Sequence, residues 1–207
     1  MPRTMKFLIF IIFFAGFVFM LSIHSFLAVT KPVPTNLLVV EGWLPDSDLK
    51  LAADEFHNGH YKKLITIGGP VSDGSLNDMN IAEQAAQKLI SFAVEESVLT
   101  AVPFSNQTKH KTFMSFIALR NWIIRSDQSI KSLNLFTGSV HARKSWTICQ
   151  RVLGDSIKVG VFAAPPQRYH PRYWWLSKRG IRLVFKNTVS YFYALLFPWQ
   201  RLSASKS

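Results

Sequence analysis

The chain of 207 residues carries 24 lysines and arginines against 12 acidic residues, giving a net charge of +12, and 48% of its residues are apolar. An uncharged N-terminal run raises that apolar fraction, so the remainder has ordinary globular composition and a multi-span membrane protein is excluded. The single cysteine, Cys149, excludes an internal disulfide framework and a Cys-based zinc site. Without a repeat period or a long Pro/Gly/Ser tract, solenoid, collagen-like and disordered chains are also excluded.

The positive charge is concentrated in the C-terminal part of the chain. Residues 31–127 hold nine basic and eleven acidic side chains, whereas residues 128–207 hold thirteen basic and one acidic. Such a surface attracts anions, which predicts anionic lipid, anionic polymer or a phosphate-bearing substrate as the partner. No helix-turn-helix, zinc-finger or RNA-recognition pattern accompanies the charge, so nucleic acid is not a predicted partner. The alternative is that the excess charge only keeps a membrane-bound domain soluble.

The N-terminal segment predicts a membrane anchor. Arg3 and Lys6 precede 23 mostly apolar residues from Phe7 to Val29, enough to cross a hydrocarbon core of roughly 30 Å. We predict an uncleaved transmembrane signal anchor in residues 1–30, with residues 31–207 forming one domain outside the cytoplasm. A cleaved signal peptide, with a weak site at residues 28–30, is the alternative. A second apolar stretch, at residues 191–199, is too short to span and predicts a buried or interfacial helix end.

The outer domain alternates two patterns after an extended linker at residues 31–34. Short apolar runs rich in β-branched residues predict five strands, at residues 36–40, 64–67, 98–102, 132–136 and 158–162. Apolar residues spaced at three and four predict helices between them, at residues 46–57, 78–92, 110–125 and 142–153. Strands that are apolar throughout, each followed by a helix, predict an α/β three-layer sandwich around a mostly parallel sheet of about five strands.

Ligands of open parallel sheets bind beyond the carboxyl ends of the strands, which places the candidate site in this sequence. Gly68 and Gly69 follow the second predicted strand, either as a close approach for a ligand or as a plain turn. Glu41 ends the first strand and would lie beside His141 if the two strands are neighbours, where a carboxylate–histidine pair could activate water. The alternative for Glu41 is a cap or an ion pair at a strand end.

The segment from Thr137 to Arg143 carries the most chemical information. If a helix begins near His141, Ser139 or Thr137 would cap it, and free backbone N–H groups with Arg143 would form an anion site. His141 would then serve as a general acid or base that titrates near neutral pH. The alternative is that Ser139 is only a cap and that His141 and Arg143 are solvated.

Three other features of the sequence bear on function. Asp54, His57 and His60 have a spacing that suggests a metal site, but Asn58-Gly59 is expected to end the helix between them, so no metal site is predicted. Residues 106–108 match a glycosylation sequon. The Trp174-Trp175 pair either packs in the core or lies at a membrane or sugar surface.

The order and spacing of several motifs resemble a known family. They are LLVVEGWLPD, LITIGGP, KTFMSFIALRNWI, TGSVHARKSW and WWLSKRGIRLVFKNTVSYFYALLF, spread over residues 36–195 behind the N-terminal anchor. Together they resemble the SanA/ElyC/YdcF-like family of bacterial envelope proteins. The resemblance implies a Rossmann-like α/β domain in the periplasm, anchored in the inner membrane. It also implies a role in peptidoglycan, polysaccharide or lipid-carrier metabolism, together with other envelope-synthesis proteins, and one member has been linked to S-adenosylmethionine.

Matched position by position, the resemblance points to ligand-binding residues at the strand ends. These are Gly68, Gly69, Thr112, Ser139, His141 and Arg143. In the mechanism that we expect, His141 handles protons together with Glu41. Two departures weaken the match, because Glu41-Gly42-Trp43 replaces a glycine-rich end of strand one and Asn187 stands where an acidic residue is expected. The expected activity is binding of a phosphate-bearing envelope precursor, with a non-catalytic scaffold and a methyl-donor or nucleotide-binding enzyme as alternatives. The sequence specifies no cofactor.

Overall fold

The computed structural model of the chain describes residues 3–71, 79–105, 110–126 and 129–196, so the sequon at 106–108 lies outside the described residues. The helices are α1 (Arg3–Leu27), α2 (Asp46–Asn58), α3 (Ile81–Ser91), α4 (Lys111–Arg125), α5 (Ala142–Leu153) and α6 (Lys178–Leu196). The strands are β1 (Leu37–Glu41), β2 (Lys63–Gly68), β3 (Leu99–Pro103), β4 (Ser132–Gly138) and β5 (Lys158–Ala164).

The five strands form one sheet in the order β3-β2-β1-β4-β5, and every neighbouring pair is parallel. Strand β1 is buried along its whole length because helices cover both faces of the sheet. One apolar core lies between the sheet and α4 and α5, and a second lies between the sheet and α2 and α3. The structure therefore confirms the predicted α/β sandwich of five parallel strands, each predicted strand lying within two residues of an observed one.

The direction in which the sheet is built reverses between β1 and β4. From β1 the chain adds β2 and β3 on one side, then crosses back through α4 to place β4 and β5 on the other. A crevice forms at such a reversal, because the connections leave the two strands in opposite directions. The helices that follow the strands start at this edge, so the positive ends of their dipoles point toward it.

Helix α1 is 25 residues long and is apolar enough to cross a membrane, by length and composition. Its last turns pack on the domain, where Ile23 and Leu27 form an apolar cluster with Val140 and Val184. The linker that follows is extended, as predicted, but it is packed against the domain: Lys31 forms an antiparallel bridge with Val161 of β5. An extended segment can pair in this way because the edge strand offers unpaired backbone groups.

The C-terminal part of the described chain packs beside α1. Residues 191–196 of the predicted second apolar stretch continue α6, which buries Ala194 and leaves Leu196 exposed. A short 3-10 helix, Pro171–Leu176, precedes α6 and carries the tryptophan pair. Both tryptophans are half-buried, and Trp174 Nε1 donates a hydrogen bond to the Met20 carbonyl at 3.3 Å. Trp174 thus lies against α1, and Trp175 lies beside it.

Candidate functional site

A pocket of about 580 Å³ lies at the carboxyl ends of β1, β2 and β4, at the reversal of the sheet. Six of the seven residues predicted for the site line it: Glu41, Gly68, Gly69, Thr112, Ser139 and His141. Arg143 is not among its lining residues. The crevice therefore lies at the strand ends, as predicted, while Arg143, a predicted anion ligand, lies elsewhere.

Glu41 is 2% exposed at the floor of the pocket and accepts hydrogen bonds from two hydroxyl groups. Thr137, at the end of β4, donates to Oε2, and the Ser145 hydroxyl of α5 lies 3.0 Å from Oε1. Burial raises the pKa of the Glu41 carboxyl, while Thr137, Ser145 and the charge of Lys144 act in the opposite direction. Strands β1 and β4 are neighbours, as the prediction required, but Glu41 bonds to these hydroxyls instead of pairing with His141.

The hydrogen-bond partner of His141 comes from α6. Its Nδ1 lies 3.0 Å from Asn187 Oδ1, and Asn187 Nδ2 in turn donates to the Leu183 carbonyl at 2.9 Å. Because the amide nitrogen is already bonded to that carbonyl, the network assigns the amide oxygen as the acceptor of the His141 Nδ1 proton. In neutral His141 this leaves Nε2 with a lone pair. Nε2 is shielded from solvent and has no hydrogen-bond partner among the described residues.

His141 is held in its neutral form. Burial, together with the nearby positive charge of Lys144, lowers its pKa to about 3, and the Asn187 hydrogen bond opposes that shift only in part. A pKa this low keeps His141 neutral at neutral pH in the free protein, while its role as a general acid or base stays a prediction. The larger cause of the low pKa is burial, which depends on the packing of distant segments, and the charge of Lys144 adds to it.

Five basic side chains surround the pocket, and they come from four parts of the chain. They are Lys111, Lys144, Arg168, Arg179 and Lys186. Burial lowers the pKa of Lys144, Glu41 acts to raise it, and Lys186 acts to lower it further. No ion pair within 4.0 Å joins Lys144 to Glu41 among the described residues. A group of cations with few acidic partners is suited to a multiply charged anion.

Arg143 lies outside the pocket, against α1. Its Nε donates to the Phe26 carbonyl at 2.8 Å, and its guanidinium carbon lies 4.3 Å from the centre of the Phe26 ring. Residues two apart on a helix point in nearly opposite directions, whereas residues three apart share a face. Arg143 therefore points away from His141, and Lys144 takes the position in the pocket that was predicted for Arg143.

Ser139 has a backbone φ of +23°, in a region that residues other than glycine rarely adopt. This strained turn follows β4 directly and brings the serine to the pocket. The Ser139 hydroxyl forms no hydrogen bond of standard geometry among the described residues, but it lies near enough to the Tyr169 hydroxyl to lower that group's pKa against the larger effect of burial. Neither Ser139 nor Thr137 caps α5 through its side chain.

Gly68 and Gly69, at the end of the second strand, line the pocket and are also required by close packing. A Cβ on Gly68 would lie 2.8 Å from the backbone nitrogen of Ala82, and one on Gly69 would overlap the Phe104 ring. The absence of side chains lets α3 start close to the end of β2. Thr112, in the first turn of α4, lines the pocket as predicted from the family resemblance.

Several pocket residues were not predicted as site residues. Asp48 of α2 is buried at the rim, where Gln167 donates to its Oδ1 at 3.2 Å and burial raises the pKa of the carboxyl. Lys144 was detectable from its spacing of three after His141. Arg179, Lys186 and Asn187 belong to a helix far along the chain, and no local pattern connects them to the strand ends.

Two further observations delimit the site. A second cavity, of about 600 Å³, lies beside β3 and α4, and none of the predicted site residues lines it. Within the described ranges, no three His, Cys, Asp or Glu side chains lie close enough together to hold a metal ion. The helix α2 ends at Asn58, as expected from Asn58-Gly59.

Comparisons with protein-family models, with curated proteins and with solved structures find no match for the chain. The fold and the pocket nevertheless define a class. This is an α/β protein with a doubly wound parallel sheet, one N-terminal helix long and apolar enough to span a membrane, and a basic pocket at the reversal of the sheet. The resemblance to the envelope family stays a prediction.

Proposed function

We propose that this protein binds a phosphate-bearing precursor of the bacterial cell envelope in the pocket at the strand ends, as a single-pass protein of the inner membrane. The observation that carries the proposal is the set of five basic side chains around His141, whose solvent-shielded Nε2 has no partner among the described residues. The family resemblance supports the envelope context and peptidoglycan, polysaccharide or lipid-carrier metabolism as its process.

Two kinds of interaction would hold such a ligand. Lys144 and Lys186 supply charge to phosphate oxygens, and the N-termini of α4 and α5 add backbone dipoles at the same edge. The neutral His141 then accepts a hydrogen bond at Nε2 from a ligand hydroxyl or from a water molecule. A bound phosphate would offset the positive charge of Lys144, which raises the pKa of His141 and makes it a better proton acceptor.

Binding of a phosphate-bearing probe tests the pocket. Full-length protein in lipid nanodiscs is titrated with farnesyl phosphate and with farnesol as the uncharged match. Lys144→Met should weaken the phosphate by about tenfold or more, since hydrogen bonds to charged groups contribute roughly 1.5–3 kcal/mol. Lys158→Met, which removes an exposed lysine at the start of β5, is the control and should change nothing. Equal affinities for farnesyl phosphate and farnesol would contradict the proposal.

The same titration separates the alternatives. A non-catalytic scaffold or binding module leaves the probe intact, whereas an enzyme releases a product and loses that turnover in His141→Gln. Tighter binding of S-adenosylmethionine than of farnesyl phosphate would favour the methyl-donor alternative. The absence of a G-x-G-x-x-G turn from this chain speaks against that alternative.

The membrane orientation has its own test. Arg3 and Lys6 before the apolar segment of α1 favour a cytoplasmic N-terminus and a periplasmic domain. Alkaline phosphatase fused after Ser207 should therefore be active, and the mature protein should begin at Met1. An inactive fusion would contradict the orientation, and an N-terminus near Lys31 would show that the segment is cleaved.

A further inference from the structure

The depth that α1 reaches in a bilayer fixes the depth of the parts of the domain that touch it. A hydrocarbon core needs about 20 helical residues, so a span that begins after Lys6 extends to about Phe26. Met20 then lies about 9 Å inside the outer boundary, at 1.5 Å per residue. Trp174 bonds to the Met20 carbonyl, and the Tyr191 ring lies 5.4 Å from the Phe26 ring. Parts of the domain therefore reach the depth of the lipid.

Helix α6 presents a continuous apolar face on its exposed side. Five exposed residues lie within about 80° of arc at 100° per residue, and we call them the apolar face of α6: Ile181, Phe185, Val189, Phe192 and Leu196. Phe185, in the middle of this face, is 71% exposed. A soluble surface rarely gathers so many large apolar side chains, and such a face marks contact with a partner or a membrane.

The flanks of this face differ in a way that fits a bilayer. One flank carries Arg182, Lys186 and Arg179, and the last two also line the pocket. The other flank, with Val184 and Tyr191, packs toward α1. Basic side chains beside an apolar face are typical of helices that lie in the interface of a membrane with anionic lipid. The half-buried Trp174 and Trp175 and the exposed Tyr173 add the aromatic residues that favour the same depth.

We propose that the apolar face of α6 inserts into the outer leaflet of the same bilayer that α1 crosses. The occupant of this face is lipid, because one flank of the face packs on the last turns of α1 through Val184 and Tyr191. The other flank carries the basic side chains that suit anionic lipid. The domain then rests on the membrane with its pocket opening along the basic flank of α6. This inference rests on the membrane placement of α1 proposed above, and it is independent of the ligand.

Depth measurement on the full-length protein tests the inference. In a Cys149→Ala background, an environment-sensitive fluorophore is attached to one new cysteine at a time, and the protein is reconstituted in nanodiscs with brominated lipid. Phe185→Cys probes α6, and Phe13→Cys probes α1. Ile124→Cys is the matched control, since Ile124 on α4 is also 71% exposed and α4 is not among the elements that pack on α1.

The expected result is that bromolipid quenches the label at position 185 several-fold more than the label at 124, and to an extent similar to position 13. Quenching at 13 with none at 185 would overturn the α6 inference and leave the spanning helix intact. Quenching at neither position would overturn both the α6 inference and the membrane placement of α1. A blue-shifted but unquenched label at 185 would show that a second copy or another protein covers the face, which also overturns the inference. All three positions are exposed, so labelling leaves the packed interior of the domain unchanged.

Discussion

His141 and Asn187 join the strand-end motif to the C-terminal helix through a hydrogen bond of 3.0 Å between Nδ1 and Oδ1. The two residues are 46 positions apart in the chain, and Asn187 lies on the helix that packs against α1. Through this bond, the orientation of the pocket histidine depends on how α6 is placed. A change in α6 at the membrane is therefore expected to reach the pocket.

Asn187→Asp tests the state of His141 directly. A carboxylate at this position accepts the Nδ1 proton and stabilises the imidazolium, so the pKa of His141 should rise from its value of about 3. Asn187→Ala removes the hydrogen bond that raises this pKa and should lower it. NMR titration of labelled histidine measures both variants. A wild-type His141 that titrates with a midpoint near 6.5 would contradict the assignment.

The neutral His141 also predicts how stability depends on pH. Its pKa lies near 3 in the folded protein and near 6.5 when unfolded, so the unfolded chain takes up a proton first as the pH falls. The stability of the wild type should therefore fall, relative to that of His141→Gln, as the pH drops from about 6.5 toward 3. Thermal unfolding in nanodiscs over this range provides the measurement. A constant difference between the two proteins would contradict it.

Glu41 should act in the opposite direction. Burial raises its pKa above the ordinary value of 4.5, so the unfolded chain loses its proton first as the pH rises. Stability is then lost from about that pH upward until the folded group also ionises. Glu41→Gln keeps the size of the side chain and should remove this loss. Glu41→Ala should instead destabilise at every pH, by about 1–3 kcal/mol or more, because it leaves the Thr137 and Ser145 hydroxyls without their acceptor. Parallel pH profiles of unfolding compare the three proteins.

Arg143→Ala should loosen the docking of α1 without changing ligand affinity. The variant loses the hydrogen bond to the Phe26 carbonyl and the contact with the Phe26 ring, together worth about 1–2 kcal/mol. Protease cleavage in and around the linker, at residues 28–35, should become faster, while the affinity for farnesyl phosphate should stay at the wild-type value. If Arg143→Ala lost as much affinity for farnesyl phosphate as Lys144→Met, Arg143 would have to contact the ligand, and this prediction would be wrong.

Gly180→Ala should destabilise the packing of α6. A Cβ at this position would overlap the Trp174 carbonyl, and backbone atoms cannot move aside as a flexible side chain would. The matched control is Gly16→Ala in α1, where a Cβ meets nothing within 4 Å. The control should be neutral or slightly stabilising, because alanine favours a helix by about 1 kcal/mol over glycine. Thermal unfolding of both variants should separate them clearly, and equal midpoints would contradict the close contact.

The elements of this fold could be predicted because they depend on local periodicity. Strand β1 is apolar at every position but its last, which favours a strand buried on both faces, and α5 repeats its apolar residues at three and four. From strands alternating with helices, the parallel sheet and the location of the crevice follow. Gly68, Ser139 and His141 could be predicted at the pocket because each lies at or just after the end of a strand.

Only the tertiary structure decided which way each side chain points and which distant residues meet. The motif HARK contains two cations, and the start of α5 at Ala142 turns Lys144 into the pocket and Arg143 toward Phe26. The bond between His141 and Asn187, and the contact of α6 with α1, join segments far apart in the chain, so their formation depends on packing in three dimensions and leaves no periodic signal in the sequence.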